Sequence, residues 1–279
     1  TGGVVDVTTL GKIAVQGPDA AEFLNRVYVN GFGKLPVMKC RYGVMLRDDG
    51  MVMDDGVSWR LAEDEFLMTC TTANAGKVMA WLERLLAQRW PELRVHVASA
   101  TDQWAGVAMA GPKAREALSR ALASGDVSNA ALPFMGIAQA EIAVEGGTIP
   151  AMIARISFSG ELAFEVYTPA GFGPHLWRSV LAAAQSEGGG AYGLEALGAL
   201  RIEKGHVTGA ELDGRVTLED AGLGRMASTK KPFIGCQLRH RPELAKEGRP
   251  QLAHFMPVRA GERFSVGAIV VALGRETGH

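Results

Sequence analysis

The feature that most limits the fold of this 279-residue chain is an internal repeat. Residues 10–26 and 104–120 share one pattern: an apolar strand-like run, a Gly-Pro pair and then apolar residues at helical spacing. The two prolines, Pro18 and Pro112, are 94 residues apart. We expect each proline in the first turn of a helix, where its missing N–H has no intrahelical partner to lose. The pattern therefore predicts two copies of a strand–turn–helix unit.

A second pair of segments repeats at nearly the same distance. Residues 65–71 and 161–168 each predict a strand that leads into a helix, and the tryptophans of those helices, Trp81 and Trp177, are 96 residues apart. Strand–Gly-Pro–helix units are common, so one such pair could be a coincidence. Two pairs with such similar offsets favour a tandem duplication.

The predicted fold is an α+β body of two similar halves related by a pseudo-twofold axis, with a ligand site expected between them. We assign the first half to residues 1–100 and the second to residues 101–235. An Arg-, Pro- and Glu-rich stretch at 239–250 predicts a linker or surface loop, and alternating apolar residues in 251–272 predict strands. Residues 251–279 are therefore expected to be a small, partial C-terminal β domain.

Residues 42–57 of the first half predict a β-hairpin. Asp49-Gly50 between two alternating apolar runs is a strong short-range hairpin signal. Asp54 and Asp55 stand in the second strand, and because neighbouring strand residues face opposite ways, at most one of them can point into a pocket. Such a carboxylate could hold a cationic or N–H-bearing ligand, or it could belong to an ordinary solvated strand end.

Two further polar residues stand where apolar ones are expected. Glu165 interrupts an apolar strand and shares a face with Ala163 and Tyr167. A buried carboxylate is costly unless it is paired, and its two acceptor oxygens suit an amino-pyrimidinone edge; the alternative is a strand with one solvated face. Asn74 stands at a strand-to-helix transition, which favours a helix N-cap over a ligand contact.

Composition excludes several classes of function. A net charge of −1 without a basic stripe predicts no nucleic-acid partner, and no apolar run approaches the ~18 residues of a membrane span. Cys40, Cys70 and Cys236 are far apart, which predicts a reducing cytoplasm, no disulfide and no metal site. Because the glycine-rich phosphate-binding motifs are missing, we expect no flavin, nicotinamide or ATP site in this chain.

Five motifs, taken in order, resemble the glycine-cleavage T-protein (aminomethyltransferase) family. They lie at residues 4–20, 48–55, 110–115, 159–166 and 200–205. Each is weak alone, but in this order they are specific and they cover most of residues 4–240. Further stretches resemble one branch of the family, the C-terminal half of the sarcosine oxidase α subunit. They lie at residues 6–12, 101–105, 131–135, 155–165 and 228–235.

The resemblance implies a tetrahydrofolate site and assigns roles to residues. Asp55 would lie next to the reactive nitrogens as the catalytic residue. Glu165 would grip the pterin ring, and Asn74, Tyr42 and Val57 would also contact the cofactor. The domain would capture the one-carbon unit from the oxidative demethylation of sarcosine as 5,10-methylenetetrahydrofolate. Flavin chemistry would belong elsewhere in a hetero-oligomer with the other subunits and with a missing N-terminal part of the same subunit.

One departure from the family pattern bears on the choice between sarcosine-oxidase-type and glycine-cleavage-type chemistry. The T-protein has an arginine where this chain has Leu197, and that difference argues against a reaction with a lipoyl carrier. Glycine-cleavage-type aminomethyl transfer therefore remains the alternative enzyme. A folate-fold structural or regulatory domain without catalysis is the alternative of another class, and it would be expected to have lost Asp55 or Glu165.

Overall fold

The chain is described here by a computed structural model that covers residues 2–265, 267–272 and 275–278. The strands are β1 (Gly3–Asp6), β2 (Gly11–Gln16), β3 (Lys39–Leu46), β4 (Val52–Ala62), β5 (Glu65–Cys70), β6 (His96–Ser99), β7 (Trp104–Ala110), β8 (Leu122–Ser124), β9 (Ile137–Val144), β10 (Gly147–Ala154), β11 (Ala163–Pro169), β12 (Gly190–Ala191), β13 (Val270–Ala272) and β14 (Arg275–Gly278). The α-helices are α1 (Ala20–Val27), α2 (Ala75–Arg84), α3 (Ala114–Ala121), α4 (Gly173–Ser186), α5 (Leu194–Lys204) and α6 (Pro242–Ala245).

The strands form two large sheets. The first has seven strands in the order β12-β1-β7-β11-β10-β9-β8, and the second has five in the order β3-β4-β5-β2-β6. Neighbouring strands are antiparallel except for β1 and β12, which are parallel. The predicted hairpin is confirmed, since β3 pairs with β4 across the turn that contains Gly50.

The two sheets pack face to face and carry helices on their outer faces. Along β11, Phe164 and Val166 belong to the apolar core with α3 and α4, whereas Tyr167 points the other way and stacks on Trp59 of the five-stranded sheet. Along β2, Ile13 packs against α1 and α2. Because strand residues alternate between faces, each sheet separates a helix layer from a shared inter-sheet core.

Both Gly-Pro turns precede a helix, as the repeat predicts. Gly17 and Gly111 adopt φ values of 131° and 128°, and a Cβ atom on Gly17 would lie 2.2 Å from the carbonyl oxygen of Arg94. Glycine is therefore required there. The predicted position of the prolines in the first helical turn is wrong. α1 begins at Ala20 and α3 at Ala114, so each proline lies in the turn just before the helix.

Four strands of each sheet follow the same order. The run β3-β4-β5-β2 of one sheet corresponds to β9-β10-β11-β7 of the other, and α1 and α2 correspond to α3 and α4 in chain order. This correspondence supports a duplication, which stays a prediction.

The segment after α5 covers the end of the β3–β4 hairpin. Val207, Leu218 and Phe233 pack with Val44 and Val52 in a separate apolar cluster. Of the alternating C-terminal stretch, residues 251–256 form no strand, and the pair β13–β14 begins only at residue 270. A two-strand pair alone buries too little apolar surface to be a stable domain. The predicted C-terminal β domain therefore stays a prediction.

Candidate functional site

The two adjacent aspartates of β4 point to opposite sides of the sheet. Asp54 is 2% exposed on the helix side, where its Oδ2 accepts the Thr71 N–H at 3.0 Å and its Oδ1 accepts the Asn74 amide at 3.1 Å. Burial raises the pKa of Asp54, and the bonds from Thr71 and Asn74 oppose that rise. Asp54 therefore ties β4 to the start of α2.

Asp55 faces the inter-sheet side, on the same face of β4 as Val57 and Trp59. The hydroxyl of Tyr42, from β3, donates a 2.8 Å hydrogen bond to Asp55 Oδ2. Burial raises the pKa of Asp55 to about 6, with the hydrogen bond from Tyr42 lowering it and the charge of Asp54 raising it. Asp55 is thus mostly ionised at pH 7 but close to the range in which it accepts a proton.

Glu165 faces the same space from the opposite sheet. It is half-buried on β11, and the hydroxyl of Tyr167, two residues along the same face, donates a 3.0 Å hydrogen bond to its Oε2. Burial raises the pKa of Glu165 to about 7, while the Tyr167 bond and the charge of Lys12 lower it. The two carboxylates singled out in the sequence therefore face the inter-sheet space, one from each sheet.

Lys12 is a residue of this region that the sequence argument missed. It is fully buried on β2; its ammonium donates to the Thr8 and Leu10 carbonyls at 2.8 and 3.0 Å and lies 5.3 Å from the centre of the Tyr167 ring. The available signal was a lysine inside an apolar strand, the same kind of interruption that drew attention to Glu165.

The other predicted contact residues do not all lie on the same side of the sheet as Asp55. Asn74 occupies the N-cap position of α2 but makes no side-chain capping bond; its Nδ2 donates to Asp54 Oδ1. Val57 pairs with Tyr42 across the hairpin, and its N–H donates to Thr69 Oγ1 at 3.1 Å. The structure brings Tyr42 and Val57 to the face of Asp55 and puts Asn74 behind it; their ligand contacts stay predictions.

A pair of stacked rings joins the two sheets beside the carboxylates. The rings of Trp59 and Tyr167 are 4.9 Å apart, both side chains are fully buried, and Trp59 Nε1 has no hydrogen-bond partner among the described residues. The stack fixes the ring of Tyr167, and with it the hydroxyl that bonds Glu165.

Two surface cavities lie elsewhere. One of about 610 Å³ runs between α3, β9 and α4, and one of about 510 Å³ is lined by residues 224–240. Neither is lined by Asp55 or Glu165. The carboxylates mark the candidate site better than either cavity does, because burial, hydrogen bonding and raised pKa values coincide there. Within the described part of the chain, no helix has both the length and the apolar character that a bilayer crossing requires.

The two carboxylates are expected to make stability fall as the pH rises from about 4 to about 7. Their folded-state pKa values of about 7 (Glu165) and about 6 (Asp55) exceed the ordinary 4.5 and 3.8, so the folded chain binds more protons over this window. The stabilisation from this extra proton binding is fully present at pH values below the ordinary pKa values. It is lost as the pH rises through the folded-state pKa values. In urea unfolding at pH 5 and pH 8, Glu165→Gln should lose less stability between the two pH values than wild type. Equal losses would contradict the raised pKa of Glu165.

Comparisons with known proteins confirm the resemblance predicted from the motifs. The GCVT N-terminal domain family matches residues 1–231. The sarcosine oxidase subunit alpha of Rhizobium meliloti (strain 1021) is 48% identical over 273 residues, which cover 98% of this chain and 27% of that protein. The subunit of Corynebacterium sp. (strain U-96) is 47% identical, with 97% and 28% covered. The chain thus spans about a quarter of the length of these relatives.

The aminomethyltransferases are more distant in sequence but share the fold. That of Lysinibacillus sphaericus (strain C3-41) is 32% identical over 235 residues, 84% of this chain and 61% of that protein. The crystal structure of glycine cleavage system aminomethyltransferase T from Bartonella henselae superposes with a TM-score of 0.72 at 27% identity, covering 85% of this chain and 62% of that one. With a family match over most of its length and the same fold in a solved member, the chain belongs to the GCVT, or glycine-cleavage T-protein, family.

Proposed function

We propose that this chain is the tetrahydrofolate-binding, aminomethyltransferase-like part of a sarcosine oxidase α subunit. The observation that carries the proposal is the pair of half-buried carboxylates, Asp55 and Glu165, which face one inter-sheet space from opposite sheets. The choice of branch is supported by 48% identity to a sarcosine oxidase α subunit against 32% to an aminomethyltransferase.

The residues present fit a pterin. A pterin edge offers parallel N–H donors, and a carboxylate accepts such a pair with both oxygens. Among the described side-chain hydrogen bonds, Glu165 accepts one bond at Oε2 and Asp55 one at Oδ2. Because each carboxylate oxygen can accept two bonds, both oxygens of either group can still accept from a ligand. The partner-free indole N–H of Trp59 lies in the same inter-sheet core.

In the proposed function, Asp55 either accepts a proton or stabilises positive charge during one-carbon transfer. Bound tetrahydrofolate would supply the nitrogen that takes up the one-carbon unit, giving 5,10-methylenetetrahydrofolate. With a pKa of about 6, the Asp55 carboxylate can stabilise positive charge at neutral pH or accept a proton there. Tyr42 holds the carboxylate in place through its 2.8 Å bond.

Because the chain spans about a quarter of its α-subunit relatives, we place the flavin-dependent oxidation of an N-methyl amino acid in other parts of a hetero-oligomer. Glycine-cleavage aminomethyl transfer remains the second candidate. The half-buried Leu197 of α5, in place of the family arginine, weighs against it.

Calorimetric titration of tetrahydrofolate at pH 8, where Glu165 is ionised, tests the binding proposal. Wild type should bind, and Glu165→Gln should bind at least ~10-fold more weakly, a loss of ~1.4 kcal/mol, because a neutral amide replaces one of the two acceptor oxygens with a donor. The matched control is Glu161→Gln, an exposed carboxylate just before the same strand, which should bind like wild type. Absence of folate binding to the wild-type protein, within the complete subunit, would remove the proposal.

A further inference from the structure

Lys12 is a fully buried lysine near Glu165 to which the proposed function assigns no role. A lysine side chain with no exposed surface is costly, and burial lowers the pKa of Lys12. Its ammonium satisfies the carbonyls of Thr8 and Leu10. Those two acceptors need only N–H donors, so a neutral side chain would serve them at lower desolvation cost. The positive charge itself therefore calls for another explanation.

The surroundings of Lys12 indicate what its charge acts on. Glu165 contributes the largest charge effect on Lys12, ahead of Asp6, Cys70 and Asp102. In the other direction, the groups that act on Glu165 are the Tyr167 hydroxyl and the Lys12 ammonium. The thiol of Cys40 also lies within electrostatic reach of Glu165, and burial raises its pKa to about 12, so it stays neutral. Within the part of the chain that the structure describes, Lys12 is thus the cation whose charge acts on Glu165.

Tyr167 connects the two charges physically. Its ring lies beneath the Lys12 ammonium at 5.3 Å, and its hydroxyl donates to Glu165 at 3.0 Å. A cation over an aromatic ring is attracted by the negative face of that ring. The stack on Trp59 holds the ring from the other sheet. A buried cation, an aromatic ring and a carboxylate therefore form one connected unit.

We propose that Lys12 is a positioning residue of the pterin site, whose buried charge, next to the Tyr167 ring that bonds Glu165, favours the ionised, hydrogen-bond-accepting form of Glu165. The proposal rests on the proposed folate function for its consequence, but the contacts that link Lys12 to Tyr167 and Tyr167 to Glu165 involve no ligand. Removing the charge should favour the protonated carboxylic acid, which offers one acceptor fewer to a ligand. Folate binding at neutral pH should then weaken and return as the pH is raised.

The first test needs no folate. The carboxyl of Glu165 is titrated by carbon-13 NMR in the complete subunit, assigned by its loss in Glu165→Gln. Lys12→Gln, which keeps an N–H donor for the two carbonyls, should move the titration midpoint of Glu165 upward by about one pH unit. Lys12→Arg, which keeps the charge, should move it much less. An unchanged midpoint in Lys12→Gln overturns the proposal.

The second test measures tetrahydrofolate binding against pH. With a midpoint of about 7 in wild type and about one unit higher in Lys12→Gln, the variant should bind about fivefold more weakly at pH 7 and within about twofold at pH 9. A merely structural role would give the same loss at both pH values and would overturn the proposal. A shifted Glu165 midpoint without folate binding by wild type would instead overturn the proposed function and leave the coupling standing.

A reciprocal measurement covers the case in which Lys12→Gln does not fold. Coupling between two titrating sites acts equally in both directions. Glu165→Gln should therefore lower the titration midpoint of the Lys12 ammonium, followed by NMR at its ε-carbon, by the same interval. No change in the Lys12 midpoint would show that the two charges do not interact and would overturn the proposal.

Discussion

Replacement of Asp55 by asparagine is expected to slow one-carbon transfer to tetrahydrofolate at least ~100-fold in the complete complex, the usual contribution of a positioned acid or base. Asparagine keeps the size of the side chain but can neither accept a proton nor carry negative charge. Binding of tetrahydrofolate should change little, because Glu165 is assigned the grip on the pterin. The measurement is the rate of 5,10-methylenetetrahydrofolate formation with sarcosine as donor, beside a separate titration of folate binding.

The pH dependence of that rate distinguishes Asp55 from a residue that only shapes the site. At saturating tetrahydrofolate, where binding by Glu165 does not limit the rate, the wild-type rate should rise as the pH passes about 6, the pKa of Asp55, and then level off. Tyr42→Phe removes a bond that favours the ionised carboxylate, so the rise should move to higher pH. Asp55→Asn should show no such rise.

The control for Asp55 is an aspartate of the same hairpin. Asp48 is exposed and pairs with Arg89 at the surface, so Asp48→Asn should transfer at the wild-type rate. A rate for Asp55→Asn within about threefold of wild type would exclude Asp55 as the catalytic residue.

Local features of the fold could be predicted from the sequence because short-range rules decide them. The Asp49-Gly50 turn and its alternating flanks predicted the β3–β4 hairpin, and strand geometry alone required Asp54 and Asp55 to point apart. The Gly-Pro turns predicted α1 and α3 for the same reason. The prolines were wrongly predicted to lie in the first helical turn, because the turn itself takes up two residues before helical hydrogen bonding begins.

Features that depend on distant parts of the chain could not be predicted in this way. Lys12 is buried only because the seven-stranded sheet covers β2, and Tyr167, 155 residues away in the sequence, supplies the ring beneath it. Asn74 was expected to cap α2; it occupies the N-cap position, but the side-chain bond it makes is the one its Nδ2 donates to Asp54 of β4. In both cases a long-range partner decides the role of a residue whose local sequence suggests another one.

The same burial that suits Asp55 and Glu165 to their proposed roles weakens the fold at neutral pH. Each carboxylate must be desolvated for its pKa to approach neutrality, and each then disfavours the folded state once it ionises. The inter-sheet core must offset that loss by packing. The rings that join the two sheets are therefore where stability and site geometry depend on the same contacts.

Trp59→Ala is expected to destabilise the chain by ~3–5 kcal/mol, the range for removing a large buried aromatic side chain. Trp59 is fully buried on β4, packs in the inter-sheet core and stacks on Tyr167 at 4.9 Å. Its removal leaves a cavity between two sheets, and strands paired on both sides cannot collapse to fill it. The measurement is the free energy of unfolding from urea titration at pH 6.

Two further variants separate the cavity from other effects of losing a tryptophan. Trp59→Phe keeps a stacked ring and removes an indole N–H that has no hydrogen-bond partner among the described residues, so it should lose clearly less stability than the alanine variant. Phe134→Ala, at a side chain that is 62% exposed, should change stability by less than ~0.5 kcal/mol. Equal losses for alanine and phenylalanine at position 59 would mean that the stack on Tyr167 does not hold the sheets together, and the geometry of Glu165 would then need another support.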